Sequence, residues 1–189
     1  MTVQLSESRE THPEVAGPDF RQFMRSWAGG VAIVTAAQAD GTAAGCTVNA
    51  FMSVSLSPPL ALVSLSQQSR TLIAIAGQGS FGINVLPQRQ WQLAARFASM
   101  PGDRFASMPG DRFAGVPYRL QHGVPVLDAA MAAAVCTLEE IIPAADHVLL
   151  LGRPCWCHSD GSDDPAVFFD SAYRALERMP AARSLADGC

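Results

Sequence analysis

Residues 31–65 read VAIVTAAQADGTAAGCTVNAFMSVSLSPPLALVSL. Short apolar and β-branched runs alternate here with turn residues, and no helical period survives across them. Val31–Thr35 is expected to be a buried strand, Gly45–Asn49 a second, Ser53–Leu56 a third and Leu60–Leu65 a fourth. Asp40-Gly41 gives a hairpin signal, and Pro58-Pro59 stops the third strand. Consecutive strands without intervening helices exclude regular βαβ alternation, and with it a doubly wound dinucleotide sheet.

The flanking sequence continues the pattern. Residues 1–18 carry Pro13, Gly17 and Pro18 with no apolar period and are expected to form a flexible arm. Their Glu7, Glu10 and Glu14 argue against a signal peptide. A helix capped by Asp19 should follow, with Phe20, Phe23, Met24 and Trp27 on one inward face, ended by Gly29-Gly30. Thr71–Ala76 and Gln88–Phe97 should be helices, and Phe81–Leu86, 132–142, 147–157 and 166–169 strands. A short helix is expected over 172–179. The fold class is therefore mainly β with flanking helices, in an antiparallel barrel. The core domain spans 19–175, and 176–189 form a tail.

Composition removes several chemistries. All 13 basic residues are Arg, so a Schiff-base lysine and a Walker-type phosphate loop are excluded. A formal charge of −4 disfavours a nucleic-acid surface or a polybasic membrane anchor. Charged residues are 16% of the chain against 49% apolar ones, which suggests apolar surface buried against another subunit. The 5 Cys are odd in number and lack framework spacing, as expected of reduced thiols in a cytoplasm. Arg96–Asp103 is repeated at once as Arg104–Asp111. Each copy holds Pro-Gly and is read as a turn in a surface loop; a lengthened lid is the alternative.

Four constellations could carry chemistry. Polar Thr47, Asn49, Ser53 and Ser55 fall on one face if their strand is continuous. Their neutral donors and acceptors suit a heterocycle with imide and carbonyl groups, although a solvated strand face has the same pattern. Ser66, Ser69, Arg70 and Thr71 open a helix, where free N–H groups suit a phosphate; ordinary capping by Ser69 is the alternative. Asp146-His147 offers an imidazole, the side-chain type most able to change protonation near neutral pH, but no nucleophile motif accompanies it and a structural histidine is the alternative. Cys155-Trp-Cys157-His158 lacks zinc-ligand spacing, and its thiols are read as small packed apolar groups; no metal site is expected.

In order along the chain stand Phe20-x-x-x-Met24, Gly29-Gly-Val-Ala-Ile-Val-Thr35, Asp40-Gly41 and Thr47-x-Asn-Ala-Phe-x-Ser-Val-Ser-Leu-x-Pro-Pro-Leu60. They are followed by Ser66-x-x-Ser-x-Thr71, Phe81-x-Ile-Asn-Val-Leu86, Asp111-Arg-Phe113, Pro125-x-Leu127 and Asp146-His147 with Gly152. This series resembles the flavin reductase family of split-barrel fold, the small reductase components of two-component flavin-dependent monooxygenases. The resemblance implies a Greek-key-like, homodimeric split β-barrel. It implies hydride transfer from NADH (or NADPH) to FAD or FMN, with reduced flavin diffusing to a partner monooxygenase, in aromatic (phenol-type) degradation. A flavin storage or sensor module, and an oxidase of a phosphorylated vitamin, are the alternatives. Carried over by position, Cys46, Thr47, Val48 and Asn49 should line the isoalloxazine. Ser53, Val54 and Ser55, with Ser66, Ser69, Arg70 and Thr71, should hold the ribityl and phosphate end. Phe113 and His147 should lie near the flavin ring and nicotinamide pocket, His147 as the catalytic residue and Phe113 in preference to Phe105. The family's Gly before Asp-His is Ala145 here, so a turn needing positive φ would be strained.

Overall fold

The computed structural model describes residues 13–98, 112–161 and 163–177. Most of the octapeptide duplication, with Phe105, lies outside the described residues, as do residues 1–12 and the end of the tail.

The chain begins with α1 (Gly17–Met24), then β1 (Gly29–Gly30), β2 (Ala32–Ala37), β3 (Ala43–Val48), β4 (Phe51–Leu56) and β5 (Pro59–Ser66). Next come α2 (Arg70–Gln78), β6 (Ser80–Val85), a single 3-10 turn and α3 (Trp91–Ala98). After these come β7 (Tyr118–Gln121), β8 (Val124–Leu127), β9 (Ala132–Ala144), β10 (His147–Ser159), β11 (Val167–Phe169) and β12 (Ala172–Arg174).

Seven strands form one sheet in the order β3-β2-β6-β9-β10-β5-β4, every neighbouring pair antiparallel. Its two edge strands, β3 and β4, are consecutive in the chain and separated only by Asn49 and Ala50. The sheet must therefore curl until its edges approach. Among the described residues no ladder joins β3 to β4.

Strand alternation sorts the core into layers. Ala32, Val34 and Ala36 of β2 meet Val63 and Leu65 of β5, Phe81 and Ile83 of β6 and Leu150 of β10 inside the curl, where Ile75 of α2 covers them. Ile33 points to the other side, against Leu86, Ala94, Phe97 and Leu127, under α3. The β7–β8 hairpin covers Ala133 and Val135 with Val124 and Val126. A polar knot crosses between these layers. Asn84 Nδ2 donates to the Ile33 carbonyl at 3.0 Å and to Thr35 Oγ1 at 3.1 Å. Asn84 Oδ1 accepts the Leu127 N–H at 2.8 Å, and Thr35 Oγ1 donates to the Pro125 carbonyl at 2.5 Å. Both side chains are fully buried and satisfied.

Several expectations are corrected. Helix α1 starts at Gly17 with Ala16 as its cap, so Asp19 lies in the first turn instead of capping it. No residue of α1 is buried, and Gly29-Gly30 pairs with β11 as a strand. Residues 172–174 form β12, not a helix: Asp170 and Ser171 both have positive φ, the signature of a tight type I′ hairpin turn, and this folds Tyr173 back onto Phe168. Cys155 and Cys157 are exposed instead of packed: strand alternation from the buried Val148, Leu150 and Gly152 puts them on the outward face of β10.

Candidate active site

The site forms where β3, the start of α2 and the β9–β10 hairpin come together. Ser69 stands at the N-cap of α2, yet its side chain makes no capping hydrogen bond. Its Oγ faces Cys46 Sγ at 3.9 Å instead. The alternative of simple capping is thereby removed, and the first N–H groups of α2 keep no intrahelical acceptor. Thr71, two residues on, is buried and close enough that its hydroxyl acts on the Cys46 thiol. Burial pushes that thiol's pKa up, opposed by the Thr71 and Ser69 hydroxyls and by the Arg112 guanidinium. Arg112 Nη1 donates to the Gly45 carbonyl at 3.0 Å, which places a cation along the outer edge of β3. Arg70 is exposed and has no side-chain partner among the described residues.

His147 reaches the same neighbourhood through strand register. It pairs with Ser66 across β5 and β10, at the mouth of the loop that leads to α2. His147 Nδ1 lies 2.8 Å from Asp146 Oδ1, and this hydrogen bond holds the Asp146 carboxyl below the usual carboxylate range. The pair is solvent-exposed, at 47% for His147 and 91% for Asp146. Ala145 does adopt positive φ, at 52°, in the two-residue Ala145-Asp146 turn that leads into β10.

The remaining candidates lie elsewhere. Cys46 packs toward the inner core, but Thr47 points the other way and donates to the Ala94 carbonyl of α3 at 2.7 Å. Val48 is buried. The serine alternation does not run along one strand, because the chain bends at Asn49-Ala50 between β3 and β4. A register shift between Ser53 and Ser55 then breaks the period at Val54. Ser53 pairs with Ala61, whereas Ser66 lies five residues further along β5, about 17 Å away at strand rise. Ser53, Val54 and Ser55 thus sit on the β4 edge, apart from the α2 cluster. Phe113 is buried, edge-on to Phe97 at 4.9 Å and Tyr118 at 5.5 Å. It supports β3 from the outer side instead of presenting a free ring face. Among the described residues no group of three metal-ligating side chains comes together.

Arg112 was missed as a candidate ligand. The signal for it was present: it is the middle residue of Asp111-Arg-Phe113, directly before a buried aromatic.

A flavin reductase-like domain model matches residues 24–177. The chain belongs to the flavin reductase family. Its relatives include the actinorhodin polyketide dimerase of Streptomyces coelicolor, 38% identical over 82% of this chain and 84% of that protein. They also include the NADH-dependent flavin reductase of a Rhodococcus species, 37% identical over 90% of this chain and 92% of that protein. The solved styrene monooxygenase flavin reductase of Pseudomonas putida S12 superposes with a TM-score of 0.74 at 31% identity, covering 86% of this chain and 99% of that one.

Proposed function

We propose that this flavin reductase transfers a hydride from NADH to FAD or FMN, then releases the reduced flavin to a separate oxygenase. The observation that carries the reading is the cluster at the start of α2. Uncapped N–H groups and the side chains of Ser69 and Thr71 stand there, with Arg70 as the first residue of the helix, and His147 is paired across the strands with Ser66. This is a donor set for a phosphorylated, otherwise neutral ligand, so a flavin phosphate fits the residues present. Ser66, Ser69, Arg70 and Thr71 would hold that end, with Arg112 and the edge backbone of β3 toward the ring. Bound side by side, the nicotinamide and the flavin would themselves supply the hydride chemistry. The chain's own work is to stack and orient them and to keep His147 beside the nicotinamide, held by Asp146.

The partner is proposed to be a flavin-dependent monooxygenase of phenol-type aromatic compounds. The chain is further proposed to act as a homodimer and, given its free thiols, in the cytoplasm. Support for the dimer comes from apolar side chains left in solvent: Phe23 is 68% exposed, Trp27 72% and Leu56 of the β4 edge 89%. A second subunit would take such side chains out of water. Among the described residues no helix is long and apolar enough to cross a membrane.

The test is NADH or NADPH oxidation followed at 340 nm with free FMN or FAD in air. Turnover that needs added flavin supports the reading. A flat trace with both flavins defeats it, and yellow protein without turnover would favour the storage or sensor module.

A further inference from the structure

We propose that Gln67 is a positioning residue that ties the His147 hairpin to the loop opening α2, so that the two halves of the site are held as one unit. The inference rests on the proposed reaction for its kinetic consequence, but on geometry alone for the tie.

Gln67 reaches every residue of the turn. Its Nε2 donates to the Ala145 carbonyl at 2.7 Å and, more weakly, to the His147 carbonyl at 3.5 Å. Its backbone N–H donates to the Asp146 carbonyl at 3.1 Å. One residue on the ligand loop therefore holds three consecutive residues of the hairpin. The hairpin needs holding, because Ala145 at φ 52° occupies a backbone region that costs an L-residue energy and persists only when its surroundings fix it. Asp146 then orients the imidazole through Nδ1, which leaves Nε2 as the ring atom able to meet a reactant. The loop that supplies Gln67 also supplies Ser66 and Ser69, one residue before it and two after. A ligand gripping that loop thus also restrains the imidazole. Gln67 is itself exposed and packs against no core cluster, so its hydrogen bonds are its main structural content.

The experiment is a double-mutant cycle with a spectroscopic arm. Gln67→Met keeps length and volume but removes the side-chain donor; Gln67→Ala is the second variant. In the native background Gln67→Met should lower kcat with NADH on the order of tenfold, within the range a small misplacement of a reacting group produces. In a His147→Ala background the same change should cost less than about twofold, because residues acting through one another are not additive. An equal loss in both backgrounds, or none in the native one, overturns the inference. Independently of activity, the His147 ring 15N shifts should move in Gln67→Met toward those of an unbonded imidazole; unchanged shifts also overturn it. A native chain with no NADH oxidation at all defeats the proposed reaction, while the 15N arm still decides the tie. A urea midpoint measured alongside separates loss of fold from loss of position.

Discussion

Replacing Ala145 by Gly should stabilise the protein. Ala145 sits at φ 52° and its methyl group is in solvent, so the substitution removes no packing. Left-handed backbone costs an L-residue about 1–2 kcal/mol. Glycine returns about 0.4–1 kcal/mol of that by gaining freedom in the unfolded chain. The midpoints of the two ranges leave a net gain of about 0.8 kcal/mol. At a urea slope of about 2 kcal/mol per M this moves the midpoint up by about 0.4 M. The Gln67 bond to the Ala145 carbonyl is a backbone contact and survives the change. Equilibrium urea unfolding, both proteins at one concentration because association shifts apparent stability, measures the difference. A midpoint at or below that of the native chain would refute the reasoning. It would mean either that the turn relaxes to negative φ in solution or that flexibility gained in the native hairpin outweighs the strain removed. A fall in turnover alongside higher stability would further show that the strained turn serves His147.

Asn84→Leu should destabilise by about 2 kcal/mol or more, because it leaves the buried Leu127 N–H without an acceptor, at about 1–3 kcal/mol, and removes the side-chain bonds to the Ile33 carbonyl and Thr35 hydroxyl; urea unfolding reads the loss. Gly152→Ala should cost about 1–3 kcal/mol by overpacking, since a Cβ there would lie 2.5 Å from Phe81 Cζ and 2.9 Å from Cys136 Cβ; a thermal melt checks it. Ser69→Ala and Arg70→Gln should each raise the KM for flavin several-fold with kcat nearly unchanged, which steady-state kinetics against FMN and FAD will show. The Asp146 carboxyl titrates lower in the folded chain, so its contribution is full above the ordinary carboxylate range and is lost as pH falls through the lowered folded value. Asp146→Asn should accordingly flatten the acid limb of the urea midpoint against pH, by a small amount for so exposed a pair.

What the sequence disclosed followed local periodicity. The strands from Ala32 to Ser66 lie where β-branched runs and turn residues put them, because alternation and turn chemistry act over a few residues. Ser66 to Thr71 was legible as a unit for the same reason: loop, helix start and hydroxyls are contiguous. Failures came where a distant partner decides. The i, i+3, i+4, i+7 stripe of Phe20, Phe23, Met24 and Trp27 is a true amphipathic signal, but periodicity does not say whether the face meets its own core or another surface, and here it is exposed. Residues 172–174 have no strong strand pattern and become a strand because Val167–Phe169 offers an edge across a two-residue turn. The serine stripe from Thr47 to Ser55 failed as one face because a bend and a bulge intervene, and no residue type in the run announces either.

Register explains the rest of the site. His147 and Ser66 are 81 residues apart, and nothing local to either predicts their meeting. The meeting follows from β5 and β10 being neighbours in the sheet, and a slip of one residue would turn His147 to the opposite face. The same ladder holds Leu150 on Val63 and Leu65 on Val148, side chains buried in the inner core. Core packing therefore fixes which residue stands opposite Ser66, and the placement of an exposed histidine is enforced from beneath by apolar residues of the buried core. A core substitution that loosened this register, such as Leu150→Ala, should for that reason disturb His147 before it unfolds the domain. The His147 ring 15N shifts would report it at urea concentrations where circular dichroism is still native.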